Sequence, residues 1–150
     1  MPTRTIVHFE IPAADPQRLR DFYAQCFGWT SQDSRVPGLE YWRISTGPEG
    51  KSVGGGLYRK TGPDDRPRNF IGVEKIDEAI ERFKSAGGTQ VVPKMEVPGI
   101  GWSFIGADPE GNMIALFQPK AMPEPHPVRR KAVSRKAPRK ATTKRGHRKR

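Results

Sequence analysis

A chain of 150 residues, 34% of them hydrophobic, is long enough to bury one domain core and too short for a second core of ordinary size. It has no N-terminal apolar run of signal-peptide length and no apolar stretch that would span a membrane, so we predict a soluble, cytoplasmic protein. The formal net charge of +11 is unevenly placed. Residues 120–150 hold 13 Lys and Arg against one acidic residue, whereas residues 1–119 hold 14 basic and 15 acidic residues. We therefore predict a folded domain over residues 1–119 and a basic tail over residues 120–150.

The first part of the domain predicts a strand, a helix and three more strands. A β-rich run at residues 5–11 is followed by Asp15 and Pro16, which suit the N-cap and the first position of a helix. Apolar residues follow at helical spacing until Gly28 ends the helix, and we expect Cys26 to be buried within it. Further strands are predicted near residues 29–32, 39–46 and 52–59.

The second part of the domain repeats this order. A strand at residues 69–74 precedes a helix at residues 76–86, which Gly87 and Gly88 end. Further strands are predicted near residues 89–92, 100–107 and 112–118. Both parts therefore predict a βαβββ unit.

Two similar phrases connect the units. VPGLEYWRISTGPEG at residues 36–50 recurs as VPGIGWSFIGADPEG at residues 97–111. The same offset, which carries position 36 onto position 97, superposes apolar residues of the two helices and favours an internal duplication over two similar turns. One helix covers only one face of four strands. Tandem repeats at about residues 4–60 and 66–119 therefore predict an α+β domain whose curved mixed sheet surrounds an open cleft.

Three segments of the chain resemble a known family. IVHFEIPAADPQRLRDFYAQCFGW, VEKIDEAIERFKSAGG and DPEGNMIALFQP are similar to the vicinal oxygen chelate superfamily, which includes glyoxalase I, bleomycin-resistance proteins, epimerases and extradiol dioxygenases. The resemblance covers residues 4 to about 119 and implies a glyoxalase-like fold and a homodimer. It does not select one function, because this scaffold hosts lyases, oxygenases and binding proteins.

The resemblance also implies four metal-ligand positions, on the first and fourth strands of each unit. His8 stands at the first position. The offset between the two phrases gives Asn69 as its equivalent, whereas counting back from the end of the second unit's first strand gives Arg68. The other two positions fall on Gly54 and Ala115. Because one imidazole binds cations weakly, we expect no firmly held cofactor, with a weakly held divalent metal at His8 as the alternative.

Candidate catalytic residues come from the first strand. Residues two apart in a strand share a face, so His8 and Glu10 project together, about 7 Å apart at Cα, while Val7, Phe9 and Ile11 face the helices. The pair can form a hydrogen-bonded wall of the cleft, contact a substrate or transfer a proton, or hold a metal weakly.

Aromatic side chains on the predicted strands are candidates for ligand contact. With His8, Glu10 and Asn69, we predict that the cleft is lined by Tyr41, Tyr58, Trp102 and Phe117. A register error of one residue would exchange the faces. The run of glycines at residues 54–56 indicates either a bulge or room for a ligand.

The tail has almost no large apolar residues, so we predict that it is disordered. It resembles the basic tails of linker histones and bacterial nucleoid proteins. It can solubilise the protein, attract nucleic acid without sequence preference, or bind another polyanion or a membrane surface. The candidate nucleic-acid contacts, which would make the protein nucleoid-associated, are Arg129, Arg130, Lys131, Arg135, Lys136, Arg139, Lys140, Lys144, Arg145, Arg148, Lys149 and Arg150.

Three functions follow from these features. The leading interpretation is a small-molecule binding protein of the glyoxalase and bleomycin-resistance type that lacks the full metal site. The first alternative is an enzyme, a glyoxalase-like lyase or isomerase or a dioxygenase-like protein, that uses His8 and Glu10. The second is a nucleic-acid-associated protein that acts through its tail.

Overall fold

A computed structural model describes residues 4–120, which fold into one eight-stranded curved sheet with two helices. The predicted α+β class and the two βαβββ units are confirmed. The elements are β1 (Ile6–Ala13), α1 (Pro16–Phe27), β2 (Thr30–Asp33), β3 (Tyr41–Ser45), β4 (Gly55–Arg59), β5 (Arg68–Gly72), α2 (Ile76–Ser85), β6 (Thr89–Val97), β7 (Gly101–Ala107) and β8 (Met113–Pro119).

The two units join edge to edge in the middle of the sheet. The strand order is β2-β3-β4-β1-β5-β8-β7-β6, and β1 pairs with β5 in antiparallel fashion. In each unit the first strand runs parallel to the last one, as β1 does with β4 and β5 with β8. The two halves of the sheet are therefore joined by backbone hydrogen bonds between β1 and β5.

The helices begin where the sequence predicts, but their N-termini are capped differently. In α1 the Asp15 carboxylate accepts a hydrogen bond from the Arg18 amide at 3.1 Å, and Gly28 follows the helix with a φ of 68°. In α2 no side chain at the N-cap does this. The amide of Ile76 instead donates to the Gln118 side chain of β8 at 2.8 Å, which ties the helix directly to the sheet.

Both helices lie on the same side of the sheet, which we call the helix face. The core under α2 consists of Val73, Ile76, Ala79, Ile80, Phe104 and Leu116. The core under α1 consists of Ala13, Ile44 and Leu57. The opposite side, which no helix covers, is called the cleft face.

Helix α1 is poorly buried. Pro16 is its one buried residue, and Phe22 and Phe27 are 52% and 63% exposed. Cys26 is also exposed, so the prediction that its thiol is buried was wrong. Phe27, the next residue, contacts Trp29 with ring centroids 5.6 Å apart, but it is exposed as well, so the end of the helix carries no buried side chain.

Neither helix in residues 4–120 is long and apolar enough to cross a membrane. The predicted disorder of the tail and its nucleic-acid contacts concern residues that, from position 121 onward, lie outside the described part of the chain.

Candidate functional site

The register of the strand pairs assigns each candidate residue to a face. Directly opposed residues on antiparallel neighbours point to the same side of a sheet. Glu10 on β1 opposes Arg68 on β5, and Tyr41 on β3 opposes Tyr58 on β4. His8, two positions before Glu10, shares its face. These five side chains form a cluster on the cleft face, which we call the polar cluster.

His8 and Tyr41 form the first contact of the polar cluster. The Nε2 atom of His8 lies 2.8 Å from the Tyr41 hydroxyl oxygen, a hydrogen bond that crosses from β1 to β3 over β4. The crossing is possible because Gly56 lies between the two strands, where a Cβ atom would overlap with the Tyr41 hydroxyl. On the helix face, Gly55 makes similar room for the Phe9 ring. The run of glycines thus makes room for the protein's own side chains on both faces.

The environment of this contact holds both groups in their neutral forms. Burial lowers the pKa of His8 from its ordinary value of 6.5, and the charge of Glu10 opposes that shift only in part. Burial, and then the charge of Glu10, raise the pKa of Tyr41 well above its usual range. At neutral pH, His8 is therefore a neutral imidazole beside a protonated phenol.

Glu10 and Arg68 form the second contact. The Glu10 carboxylate accepts a hydrogen bond from Arg68 Nε at 2.7 Å, and Arg68 Nη2 lies 2.5 Å from the same oxygen. The two side chains are 12% and 20% exposed, so the pair is largely removed from water. The negative charge of the Glu10 carboxylate is therefore compensated by the Arg68 guanidinium beside it.

Tyr58 lies beneath this ion pair. The Arg68 guanidinium carbon is 5.2 Å from the centroid of the Tyr58 ring, within the range of a cation–π contact. Tyr58 is 8% exposed, and its hydroxyl is buried without a hydrogen-bond partner in the described part of the chain. Burial also raises its pKa, so the hydroxyl keeps its proton at neutral pH.

The second unit gives the cleft face a different character. Phe70 opposes His8 and makes an edge-to-face contact with its ring, with centroids 5.3 Å apart. Phe117 on β8 opposes Ser103 on β7. The apolar side chains that the register places on this half of the cleft face include Phe70, Ile105, Met113, Ala115 and Phe117.

Two predicted cleft residues lie on the other face. Asn69 opposes Phe9 and is exposed, and Trp102 shares the face of the buried Phe104 and lies under Lys94, whose Nζ atom is 4.9 Å from the ring centroid. The predicted cleft positions of Asn69 and Trp102 were therefore wrong. The cause is the offset between the repeated phrases, which is an odd number of residues. Because successive residues of a strand alternate between the two faces, an odd offset assigns a residue to the wrong face. The starts of α1 and α2, at positions 16 and 76, differ by an even number.

The same correction changes the metal-ligand positions. The offset between the helix starts makes Arg68, and not Asn69, the equivalent of His8. The same offset makes Phe70 the equivalent of Glu10. Glu10 pairs with Gly56 on β4, and Phe70 pairs with Ala115 on β8. Gly56, and not Gly54, is therefore the equivalent of Ala115. Glycine and alanine offer no ligand atom, and a guanidinium repels a cation. These four positions do not fit the divalent metal that the resemblance implied.

No three His, Cys, Asp or Glu side chains within residues 4–120 come together as a metal site would require. The Glu10–Arg68 pair does border a cavity of about 260 Å³ at the junction of β1 and β5. Phe9, Trp29 and Asn69, which lie on the helix face, also line it, so residues of both faces border this cavity.

Known proteins resemble this chain in sequence and in fold. A family model described as the Glyoxalase/Bleomycin resistance protein/Dioxygenase superfamily matches residues 5–116. A protein of Mycobacterium bovis named as the glyoxylase CFP32 is 24% identical over 73% of this chain and 43% of its own length. The anthracycline biosynthesis protein DnrV of Streptomyces peucetius is 26% identical over 76% of this chain and 46% of its own. The chain thus spans less than half the length of these curated relatives.

A solved structure shares the fold. Methylmalonyl-CoA epimerase from Mycobacterium tuberculosis superposes with a TM-score of 0.58 at 16% identity, over 77% of this chain and 88% of its own.

Proposed function

Because the chain belongs to the Glyoxalase/Bleomycin resistance protein/Dioxygenase superfamily, we propose that it binds a small organic molecule on the cleft face of its sheet without a firmly held metal. The observation that carries this proposal is the Glu10–Arg68 ion pair. It occupies the cleft carboxylate and places a cation where family members would hold a ligand of the metal. What remains is a polar cluster beside an apolar wall, which suits reversible binding.

The names of relatives support the same class of activity. DnrV is named for anthracycline biosynthesis, and the M. bovis relative is named as a glyoxylase. Both names refer to small organic molecules. The matched segment is less than half of each of those proteins, so we take from their names only the class of ligand, a small organic molecule, and not a particular substrate.

The proposal is tested by a fragment screen with the full chain. Fragments that bind are detected by saturation-transfer NMR and located by amide chemical-shift changes in ¹⁵N-labelled protein. We expect shifts at His8, Tyr58 and Phe117, and none at the indole N–H groups of Trp29 and Trp102, which lie on the helix face. Shifts at Trp29 and Asn69 without shifts at Tyr58 and Phe117 would instead place the ligand in the cavity beside Trp29 and contradict the proposal.

Two matched variants sharpen this test. Phe117→Ala removes an aromatic ring from the cleft face, and we expect it to weaken fragment binding about 3- to 10-fold, the value of one aromatic contact. Trp102→Ala removes a larger ring from the helix face of the neighbouring strand, and we expect unchanged affinity. Equal losses in both variants would show that binding does not occur on the cleft face.

A second candidate function is a metal-independent isomerase. The observation that favours it is the hydrogen bond of 2.8 Å between His8 Nε2 and the Tyr41 hydroxyl, which joins a largely buried imidazole to a phenol on the cleft face, the two kinds of group that general acid–base catalysis uses. Its test is exchange of the proton next to the carbonyl of a bound ketone in D₂O. Exchange that disappears in His8→Gln would establish the enzyme, and binding without exchange would leave the binding function alone.

A further inference from the structure

The polarity of the cleft face specifies what kind of molecule fits it. We propose that the ligand is an uncharged, largely apolar molecule with one carbonyl oxygen, which accepts hydrogen bonds from Tyr58 and Arg68 while the apolar body lies on the second unit. This inference rests on the proposed function and goes further by naming the ligand class.

The first step concerns the donor that has no partner. The Tyr58 hydroxyl belongs to a side chain that is 8% exposed, it points from β4 to the cleft face, and no described group accepts its proton. A buried hydroxyl without a partner costs about 1–3 kcal/mol, so an oxygen that accepts from it is favoured. Above its ring lies Arg68, which uses Nε and Nη2 on a single oxygen of Glu10. The guanidinium therefore keeps N–H groups for another acceptor.

The second step concerns charge. Glu10 neutralises Arg68, and His8 is uncharged at neutral pH. Arg43, the other cation that the register places on this face, is exposed and bonds to Gln32 at 3.1 Å. A carboxylate ligand at Tyr58 would approach the Glu10 carboxylate and find its counter-ion already paired, whereas a neutral carbonyl can accept from the same donors without repulsion between two full negative charges.

The third step concerns the body of the ligand. On the second unit, Phe70 and Phe117 lie next to Ile105 and Met113, and the charged side chain beside them is Arg68 at the start of β5, which is paired with Glu10. Phe117 and Met113 are partly exposed and so are available for contact. Burial of a ring on these side chains is favoured, and aromatic contacts add to it. The donors for the carbonyl of the ligand therefore lie near β4, β1 and β5, and the side chains that contact its apolar body lie near β8 and β7.

The experiment compares three probes of nearly equal shape. Acetophenone carries a neutral carbonyl, ethylbenzene carries none and benzoate is an anion. Each is titrated into the ¹⁵N-labelled full chain at pH 7, and dissociation constants are taken from the shifts of cleft-face amides. We expect acetophenone to bind about 3- to 10-fold more tightly than ethylbenzene, the amount that one net hydrogen bond provides, and more tightly than benzoate.

The variant Tyr58→Phe tests the hydroxyl itself. It removes a buried group that has no partner, so we expect the protein to remain folded. The advantage of acetophenone over ethylbenzene should fall to the part that Arg68 supplies, while the affinity of ethylbenzene stays unchanged. Tyr23→Phe makes the same chemical change on α1 and should leave the order of the probes as in the unmodified protein.

The outcomes separate this inference from the proposed function. If the three probes bind the cleft face equally, or if benzoate binds most tightly, the carbonyl class is wrong and small-molecule binding stands. If acetophenone keeps its full advantage in Tyr58→Phe, the Tyr58 hydroxyl does not donate to the carbonyl and the inference is overturned. If no probe shifts a cleft-face amide, both the inference and the proposed function fail.

Discussion

The two βαβββ units have the same topology but place their apolar residues differently. In the second unit, α2 buries Ile76, Ala79 and Ile80 in a core of six buried residues. In the first unit, α1 buries only Pro16, and the core beneath it has three buried residues. On the cleft face the first unit contributes four of the five residues of the polar cluster, and the second contributes Arg68 and otherwise mainly apolar side chains. The duplicated halves have thus diverged, with the larger core in the second unit and most of the polar side chains of the cleft face in the first.

The largest expected effect tests the difference between the cores. Ile76 is 1% exposed at the start of α2, so Ile76→Ala should lower the free energy of unfolding by about 2–5 kcal/mol. Phe22→Ala removes a larger side chain from α1, but that ring is 52% exposed, and we expect a loss below about 1 kcal/mol. Urea denaturation of both variants measures the two values. Similar losses would mean that the first unit is as well packed as the second.

A smaller effect is expected where the first unit makes room for its polar cluster. In Gly56→Ala the new methyl group would overlap with the Tyr41 hydroxyl, so the ring must move and its hydrogen bond to His8 must break. We expect a loss of about 1–3 kcal/mol, typical of overpacking. Gly62→Ala is the matched control because nothing lies within 4 Å of its Cβ position.

The two glycine variants are compared by urea denaturation and by the imidazole NMR signals of His8. An unchanged His8 signal in Gly56→Ala would contradict the close approach of Tyr41 over β4. A large loss in Gly62→Ala would show that alanine is poorly tolerated in this chain even where space is available.

The fold could be predicted from the sequence because its signals are local. Asp15 and Pro16 mark the start of α1, paired glycines follow α2, and the repeated phrases give the number of units. Each of these signals depends on a few neighbouring residues. The β strands were placed in the right order, but some of their ends differ from the prediction. The largest difference is at β6, which continues to Val97, since strand ends depend on partners elsewhere in the chain.

The site was predicted less completely because faces depend on register. His8 and Glu10 could be placed together from alternation within one strand, and the structure has them on one face. Trp102 could not be placed, since the phrases repeat with an odd offset while the helices repeat with an even one. Arg68 was placed at the metal-ligand position only by counting back from the end of the second unit's first strand. Phe70 was not predicted to lie on the cleft face. Alternation along β5 puts Phe70 on the same face as Arg68 and Gly72. That this face is the cleft face follows only from the pairing of β5 with β1, which the sequence does not give.

The smallest expected effect is a pH dependence that arises in the first unit alone. Burial lowers the pKa of His8 below its ordinary value of 6.5, so the unfolded chain binds a proton at a higher pH than the folded chain. The stabilisation by neutral His8 is therefore fully present above about pH 6.5. It declines as the pH falls through that value toward the pKa of the folded state. His8→Gln removes the titrating imidazole. The free energy of unfolding of this variant should therefore depend less on pH between 7.5 and 5 than that of the unmodified protein.

An NMR titration of the His8 imidazole checks the cause directly. His126 and His147 lie outside the described residues, and their signals are identified by comparison with His8→Gln. A midpoint below 6.5 for His8 would agree with desolvation as the stronger influence. A midpoint above 6.5 would mean that the charge of Glu10 outweighs burial, which requires that Arg68 does not neutralise Glu10. The titration therefore also tests whether Glu10 and Arg68 are paired, the observation on which the proposed metal-free binding function rests.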